Sequence, residues 1–271
     1  MTLIPIAVYW TLALWGLASS RPVLLYLMLG SLCFSAFAVI PTGMTGGLTF
    51  VPATMTLFLI IVKTFCNKQR LLVGIAAALD PSRLAILTAF WVSAVIATLF
   101  MPRLFAGSVT IVSLRGDVSA GSPLYPSTQN ISQLAYLTIS ILGVIALSQI
   151  FRGQAMRQLA LHAVVVSSIL TVVTGLADYA SQFVPVAPFL DIFRTASYAL
   201  LVDAEMASGK RVVGLTPEAS VYGSICISQL CLIYFLRRGM HNAFLRDVVS
   251  PILVVTLIGM VWLSTSSAAY V

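Results

Sequence analysis

Long apolar runs separated by short polar turns dominate the chain and predict helices that cross a membrane. Each run approaches or reaches the ~20 residues that a helix needs to span a bilayer. The runs are continuously apolar and do not alternate, which favours helices over a membrane β-barrel. The predicted spans cover residues 3–19, 23–40, 48–65, 84–101, 131–151, 159–177, 219–236 and 249–264. We therefore expect an all-α, polytopic transmembrane helix bundle of about eight spans, forming a single integral membrane domain over residues 1–271.

The composition agrees with an integral membrane protein. Hydrophobic residues make up 59% of the chain and charged residues only 8%, whereas a soluble domain carries roughly 25% charged residues. The net charge of +7 is scattered over loops and does not indicate nucleic-acid binding. The four cysteines show no metal or redox spacing and are interpreted as packing residues. The chain also has no Gly-rich phosphate loop, HExxH or CxxC motif, and no cofactor is expected. No Lys or Arg precedes the first apolar run, which is interpreted as a span and not as a cleaved signal peptide.

The distribution of Lys and Arg predicts which loops face the cytoplasm. If the loops around Lys68, Arg83, Arg152 and Arg238 are cytoplasmic, Arg21 also lies on that side, which then holds ten of the 15 Lys and Arg residues. This split fits the positive-inside rule and places both chain ends outside. Residues 71–79 are too short to span and are interpreted as re-entrant or interfacial.

Two outward loops are long enough to suggest function. They cover residues 102–130 and 178–217. In the second loop, apolar residues recur at helical spacing over residues 186–201 and predict a helix lying in the membrane interface. Asp191 and Arg194 fall on its opposite face, three residues apart, and can pair with each other. Asp178 is interpreted as the solvated end of the sixth span.

The stretch 209–223, GKRVVGLTPEASVYG, brings a charged segment directly against an apolar span. Lys210 and Arg211 lie between glycines, which favours a loop with backbone freedom. The sequence Thr216-Pro217-Glu218 predicts a helix start, with Thr216 as the cap and Glu218 in the first turn.

Each charged residue of this stretch has a functional and a structural interpretation. Arg211 and Lys210 suit a departing pyrophosphate, because a guanidinium bonds phosphate oxygens in pairs; they equally suit lipid head groups at the interface. Glu218 can orient Arg211 or polarise an acceptor hydroxyl, or serve only the helix end. Arg103 and Arg115 lie in the first outward loop, where ordinary solvated charges are the simpler interpretation. The two histidines, His162 and His241, fall near the cytoplasmic side, away from this chemistry.

The pattern Arg211-x-x-Gly214-x-x-Pro217-Glu218-Ala219-Ser220 resembles a motif of bacterial O-antigen ligases and of O-antigen or exopolysaccharide polymerases. Residues 103–107 (RLFAG), 124–137 and 263–271 are similar to further stretches of that family. The resemblance covers roughly residues 100–271.

This resemblance implies a glycosyltransferase with a glycosyltransferase C-like membrane architecture in the bacterial inner membrane. It would use an undecaprenyl-pyrophosphate-linked saccharide as donor and a saccharide hydroxyl as acceptor, without a nucleotide sugar or a metal. Arg211 would contact the pyrophosphate, and Glu218 belongs to the polymerase-like variant of the motif. The substrate-binding candidates are Lys210, Gly214, Pro217, Arg103 and Arg115. The expected partners are membrane lipids and polysaccharide assembly proteins.

The family pattern continues with a large periplasmic loop and further helices. The resemblance therefore implies that the chain is the N-terminal part of a longer protein or a truncated copy. Two other functions compete with the enzyme: a transporter or flippase for a lipid or sugar, and a non-catalytic scaffold of a polysaccharide synthesis complex. A transporter predicts interrupted helices and ionisable groups near the bilayer midplane.

Overall fold

The computed structural model describes residues 3–41, 44–45, 49–111, 121–196, 200, 205–206 and 209–264. The fold is mostly helical, at 74%. The α-helices in the described residues are α1 (Leu3–Ala18), α2 (Val23–Gly30), α3 (Pro52–Phe65), α4 (Lys68–Leu79), α5 (Ala85–Leu104), α6 (Thr128–Ile150), α7 (Gln154–Ala180), α8 (Ala187–Asp191), α9 (Ala219–Leu236) and α10 (Ser250–Ser264). Short 3-10 turns cover Leu32–Phe34 and Arg237–Gly239, and a π-helical turn, Leu245–Val249, leads into α10.

Five helical stretches in the described residues are long and apolar enough to cross a membrane. They are Ala85–Leu104, Thr128–Ile150, Gln154–Ala180, Ala219–Gly239 and Leu245–Ser264. Two shorter apolar helices, α1 and α3, cover most of the predicted first and third spans. The prediction of a multi-pass, all-α membrane protein is confirmed at this level, and the last five predicted spans coincide with the five long helices.

The helix predicted over residues 23–40 is wrong beyond Gly30, where α2 ends after eight residues. A helix that ends leaves its last four carbonyls without intrahelical partners, here residues 27–30. The backbone N–H of Ser31 donates to Leu27 O at 3.0 Å, and its hydroxyl donates to Met28 O at 3.2 Å. Ser167 Oγ of α7 donates to Leu29 O at 2.6 Å, and Cys33 Sγ donates to Gly30 O at 3.6 Å. Because side chains replace the missing helical donors, the helix can stop inside an apolar bundle.

The non-helical segment 35–40 is buried, and its backbone is paired with distant parts of the chain. Ala36 N donates to Leu215 O at 3.0 Å, and Ala36 O accepts from the backbone amides of Thr195 and Ala196 at 3.0 Å each. Ala38 N donates to Thr195 Oγ1 at 3.0 Å. These partners lie far away in sequence, so hydropathy alone could not distinguish this segment from a continued helix.

The contacts divide the chain into two compact units, which are described separately. The first unit is Met1–Ile60 with Ile150–Val271, and the second is Ile61–Gln149. In the first unit, α2 packs on α1 and α7, while α7, α9 and α10 pack on one another. Its main core combines residues of those three helices: Val164, Val165, Val172, Tyr222, Cys226, Ile233, Leu253, Leu257 and Met260.

In the second unit, α4 packs on α5. The segment 71–79, expected to be re-entrant or interfacial, belongs to the twelve-residue helix α4. Asn67 caps α4, because its side chain accepts hydrogen bonds from the amides of Gln69 and Arg70.

Both predicted outward loops contain more regular structure than expected. In the first, α5 runs on to Leu104, α6 begins at Thr128, and β1 (Thr110–Ile111) pairs antiparallel with β2 (Ser122–Pro123). In the second, β3 (Glu205–Met206) pairs antiparallel with β4 (Gly209–Lys210).

The interfacial helix predicted over residues 186–201 is only five residues long within the described part of that range. It ends at Asp191. Phe189 is 61% exposed, whereas the side chain of Arg194 is only 7% exposed. Arg194, which was expected on an exposed polar face, is therefore buried, and its guanidinium bonds carboxylate and carbonyl oxygens.

Candidate functional site

Residues 212–216, the centre of the charged stretch, are buried in the first unit. Val212, Val213 and Leu215 are almost fully inaccessible. The expectation of a loop with backbone freedom is therefore wrong, because this backbone is enclosed and hydrogen-bonded. Gly214 adopts φ +62°, a conformation that L side chains rarely take, and a Cβ there would lie 3.1 Å from the ring of Tyr222.

Asp178, near the C-terminal end of α7, holds this turn. Its Oδ2 accepts hydrogen bonds from the amides of Val213 at 2.8 Å and Gly214 at 3.0 Å. Its Oδ1 accepts from Arg194 Nη2 at 3.0 Å. The side chain is 1% exposed, so its interpretation as a solvated helix end is wrong. A buried carboxylate needs such partners to offset its desolvation.

Arg194 connects three groups. Nη1 lies 3.2 Å from Asp191 Oδ1, which confirms the pair expected from sequence spacing. Nη2 donates to Asp178 and also to Gly214 O at 3.1 Å. The Nε atom is buried, with no hydrogen-bond partner in the described part of the chain. Two carboxylates surround this guanidinium, so its charge is offset within the protein.

Arg211 occupies a different setting, at the C-terminal end of α10. Its Nε donates to Ser264 O at 3.2 Å, and the neighbouring Val212 N donates to Leu263 O at 3.2 Å. A cation is favourable at a helix C-terminus, where carbonyls and the dipole are negative. The two terminal nitrogens of this half-buried guanidinium have no hydrogen-bond partner among the residues that the structure describes. They can donate to an anion.

Glu218 and its neighbours differ from the predicted helix start. Helix α9 begins at Ala219, so Glu218 is the N-cap residue and not part of the first turn. Thr216 does not cap the helix; its hydroxyl contacts the carbonyls of Val213 at 2.8 Å and Glu218 at 2.9 Å and closes the turn. The Glu218 carboxylate accepts a hydrogen bond from Ser220 Oγ. No ion pair joins it to Arg211 within the described residues, so the expected pairing is not formed.

The other predicted site residues are not all gathered here. Gly214 and Pro217 lie in the same stretch as Arg211. Lys210 belongs to β4, but its side chain lies outside what the structure describes. Arg115 also lies outside the described residues. Arg103 belongs to α5 in the second unit, and its guanidinium donates to Leu99 O of its own helix.

The two histidines lie away from this cluster, as expected. His241 follows α9, and its backbone amide donates a hydrogen bond to Gln158 Oε1 of α7 at 3.1 Å. His162 precedes Asp178 by sixteen residues on α7, a separation of about 24 Å along a helix. Within the described residues, no group of three or more His, Cys, Asp and Glu could hold a metal ion.

Sequence reasoning missed the joint role of Asp178 and Arg194. The sequence pattern indicates a solvated helix end for Asp178 and a local pair with Asp191 for Arg194. A usable signal was present, since Asp178 follows an apolar run and a charge in such a context needs a partner. Which partner it takes could not be read locally, because sixteen residues separate it from Arg194.

Compared with known proteins, the chain matches no protein-family model, no curated protein and no solved structure.

Proposed function

We propose that this chain is a glycosyltransferase of the O-antigen polymerase or ligase type, acting in bacterial surface polysaccharide synthesis. Its donor is an undecaprenyl-pyrophosphate-linked oligosaccharide and its acceptor a saccharide hydroxyl, at the periplasmic face of the inner membrane. The proposed architecture is glycosyltransferase C-like with about eight spans. Membrane lipids and other polysaccharide assembly proteins are its expected partners.

One observation carries the proposal: the Arg211 guanidinium is anchored through Nε to Ser264 O, next to a buried and hydrogen-bonded turn, while its terminal nitrogens lack partners among the described residues. Donors fixed before the reaction stabilise developing charge without a cost of reorganisation. Arg211 is therefore suited to a leaving pyrophosphate, whose negative charge grows as its bond to the sugar breaks.

In the proposed reaction, the acceptor hydroxyl oxygen attacks the anomeric carbon of the donor sugar. The bond from that carbon to the pyrophosphate oxygen breaks, and the polyprenyl pyrophosphate leaves with the electron pair next to Arg211. Glu218, at the start of α9, polarises the hydroxyl and takes its proton. Its hydrogen bond from Ser220 holds the carboxylate in one orientation. Lys210 remains a proposed substrate contact.

The test compares variants of Arg211 in a strain or proteoliposome assay that measures polymer or ligated product. Arg211→Gln should lower the rate about 10²–10³-fold, the usual effect of losing one donor to a developing charge. The rate of Arg211→Lys should lie between those of wild type and Arg211→Gln, because lysine keeps the charge but loses the paired donors. Arg238→Gln, at an exposed arginine after α9, is the control and should leave the rate unchanged. Equal rates for wild type, Arg211→Gln and Arg238→Gln would remove the enzyme proposal.

A second candidate function is a lipid or sugar transporter. The interruption of α2 at Gly30 favours it, since transporters often form their sites at broken helices. This candidate predicts that the purified protein moves a fluorescent lipid or sugar across proteoliposome membranes, and that Arg211→Gln moves it as fast as wild type.

A further inference from the structure

The buried Asp178–Arg194 pair is hydrogen-bonded to the turn that directly follows Arg211. We propose that Asp178 and Arg194 are positioning residues, which set the direction of the Arg211 guanidinium toward the diphosphate of the donor. This inference rests on the proposed function and assigns to each of the two buried charges a role in it.

The backbone next to Arg211 is held by Asp178. Two successive amides, Val213 and Gly214, point at one oxygen of Asp178, at 2.8 and 3.0 Å. Val213 is only two residues beyond Arg211. Between them, Val212 N donates to Leu263 O in the last turn of α10 at 3.2 Å. The backbone that carries Arg211 is therefore held between the ends of α7 and α10.

Arg194 holds the carbonyl side of the same turn. Arg194 Nη2 donates to both Asp178 and Gly214 O. The Asp178–Arg194 pair therefore bonds the turn at two amides, through Asp178, and at one carbonyl, through Arg194. Next to Arg194, the amides of Thr195 and Ala196 bond Ala36 O, and Ala36 N bonds Leu215 O. Three non-helical segments thus form one hydrogen-bonded unit around Gly214.

Arg194 and Arg211 have different roles. Both terminal nitrogens of Arg194 are engaged by Asp178, Asp191 and a carbonyl, and its side chain is 7% exposed. Its Nη2 already donates twice and its Nη1 bonds Asp191, and the two carboxylates beside this buried guanidinium would repel a substrate phosphate. Within the described residues, the terminal nitrogens of Arg211 have no hydrogen-bond partner. Arg194 therefore acts through Arg211 and not on the substrate.

Asparagine cannot replace Asp178 in this arrangement. The carboxylate accepts on both oxygens, from two amides and from a guanidinium. An asparagine offers one oxygen, and its NH₂ group would face either the Arg194 donor or the backbone amides. The Asp178→Asn side chain has nearly the same size, so the variant tests the hydrogen bonds without leaving a cavity.

The experiment uses the full chain in lipid nanodiscs and farnesyl diphosphate as the probe, with farnesol as the uncharged control ligand. Arg211→Gln should weaken diphosphate binding about 10–100-fold, as expected for lost charged hydrogen bonds. Asp178→Asn should weaken it about 10-fold and speed hydrogen exchange at the amides of Val213 and Gly214. Neither variant should change the partition of farnesol.

A double-mutant cycle distinguishes positioning from a merely structural role. If Asp178 acts through Arg211, Asp178→Asn should cause no further loss of affinity in the Arg211→Gln background. The control variant Ser167→Ala removes a buried hydrogen bond elsewhere in the first unit; it should lower the melting temperature but leave diphosphate affinity and exchange at Val213 and Gly214 unchanged.

Three results would overturn the inference. Additive losses in the double variant, or unchanged exchange at the two amides in Asp178→Asn, reject positioning while diphosphate binding itself stands. Failure of the wild-type protein to prefer farnesyl diphosphate over farnesol rejects the proposed function, and the inference falls with it.

Discussion

At the scale of single residues, Gly175 and Tyr222 determine how closely α7 and α9 approach near the site. The Tyr222 hydroxyl donates to Thr171 O at 2.9 Å, at a point where a Cβ on Gly175 would overlap that hydroxyl. Tyr222 is fully buried, and its ring also lies against Gly214. A side chain of this size fits between two helices only because one of them has a glycine there.

We expect Gly175→Ala to lower the free energy of unfolding by about 1–3 kcal/mol, because the added methyl forces Tyr222 away from Thr171 O. The measurement is unfolding in SDS or heat, followed by circular dichroism. Gly259→Ala in α10 is the matched control, since nothing lies within 4 Å of its Cβ position. It should be neutral or slightly stabilising, through helix propensity. Equal losses in the two variants would contradict this steric explanation.

At the scale of elements, the interruption of α2 depends on polar side chains supplied by α7 and α9. Ser167 Oγ donates to Leu29 O at 2.6 Å and accepts from Gln229 Nε2 at 2.8 Å. Ser167 and Gln229 are both buried. A short relay of hydrogen bonds therefore stabilises the end of α2 from the neighbouring helices, in an environment where unpaired polar groups are costly.

Ser167→Ala should lower the free energy of unfolding by about 1–3 kcal/mol, because it leaves a buried carbonyl and a buried amide without their partner. Ser228→Ala provides the comparison. Ser228 is exposed on α9 and bonds Ser224 O of its own helix; its loss should change the free energy of unfolding by less than about 0.5 kcal/mol. If both serines could be removed with equal effect, the relay would not stabilise the break.

At the scale of the whole molecule, charge is distributed unequally between the two ends of the first unit. One end carries the turns with Arg21, Arg152 and Arg238, whereas Arg194 and Arg211 lie at the other end with Asp178, Asp191 and Glu218. The positive-inside rule then assigns the first end to the cytoplasm and the candidate site to the opposite face.

Thiol labelling tests this orientation in intact cells. In a background with Cys66 and Cys231 replaced by Ser, a membrane-impermeant maleimide should label Phe183→Cys, in the exposed turn after α7. Arg238→Cys should react only after the cells are permeabilised. The reverse pattern would place the candidate site in the cytoplasm and exclude a periplasmic donor.

The helical membrane class and the five long helices followed from the order of residues. Hydrophobic length and cation distribution are local properties, and a bilayer acts on them directly, whatever the helices pack against. Helix starts were less accurate, as Thr216 and Glu218 illustrate, because neighbouring carbonyls competed for the predicted cap.

The break in α2, the burial of residues 212–216 and the Asp178–Arg194 pair came only with the folded arrangement. Each depends on a partner distant in sequence: Ser167 for the end of α2, Leu215 for Ala36, and α7 for the turn beside Arg211. A hydropathy pattern reports how much apolar surface a segment carries. It contains no information on which carbonyl meets which donor, and those pairings determine where a helix stops and where a charge is buried.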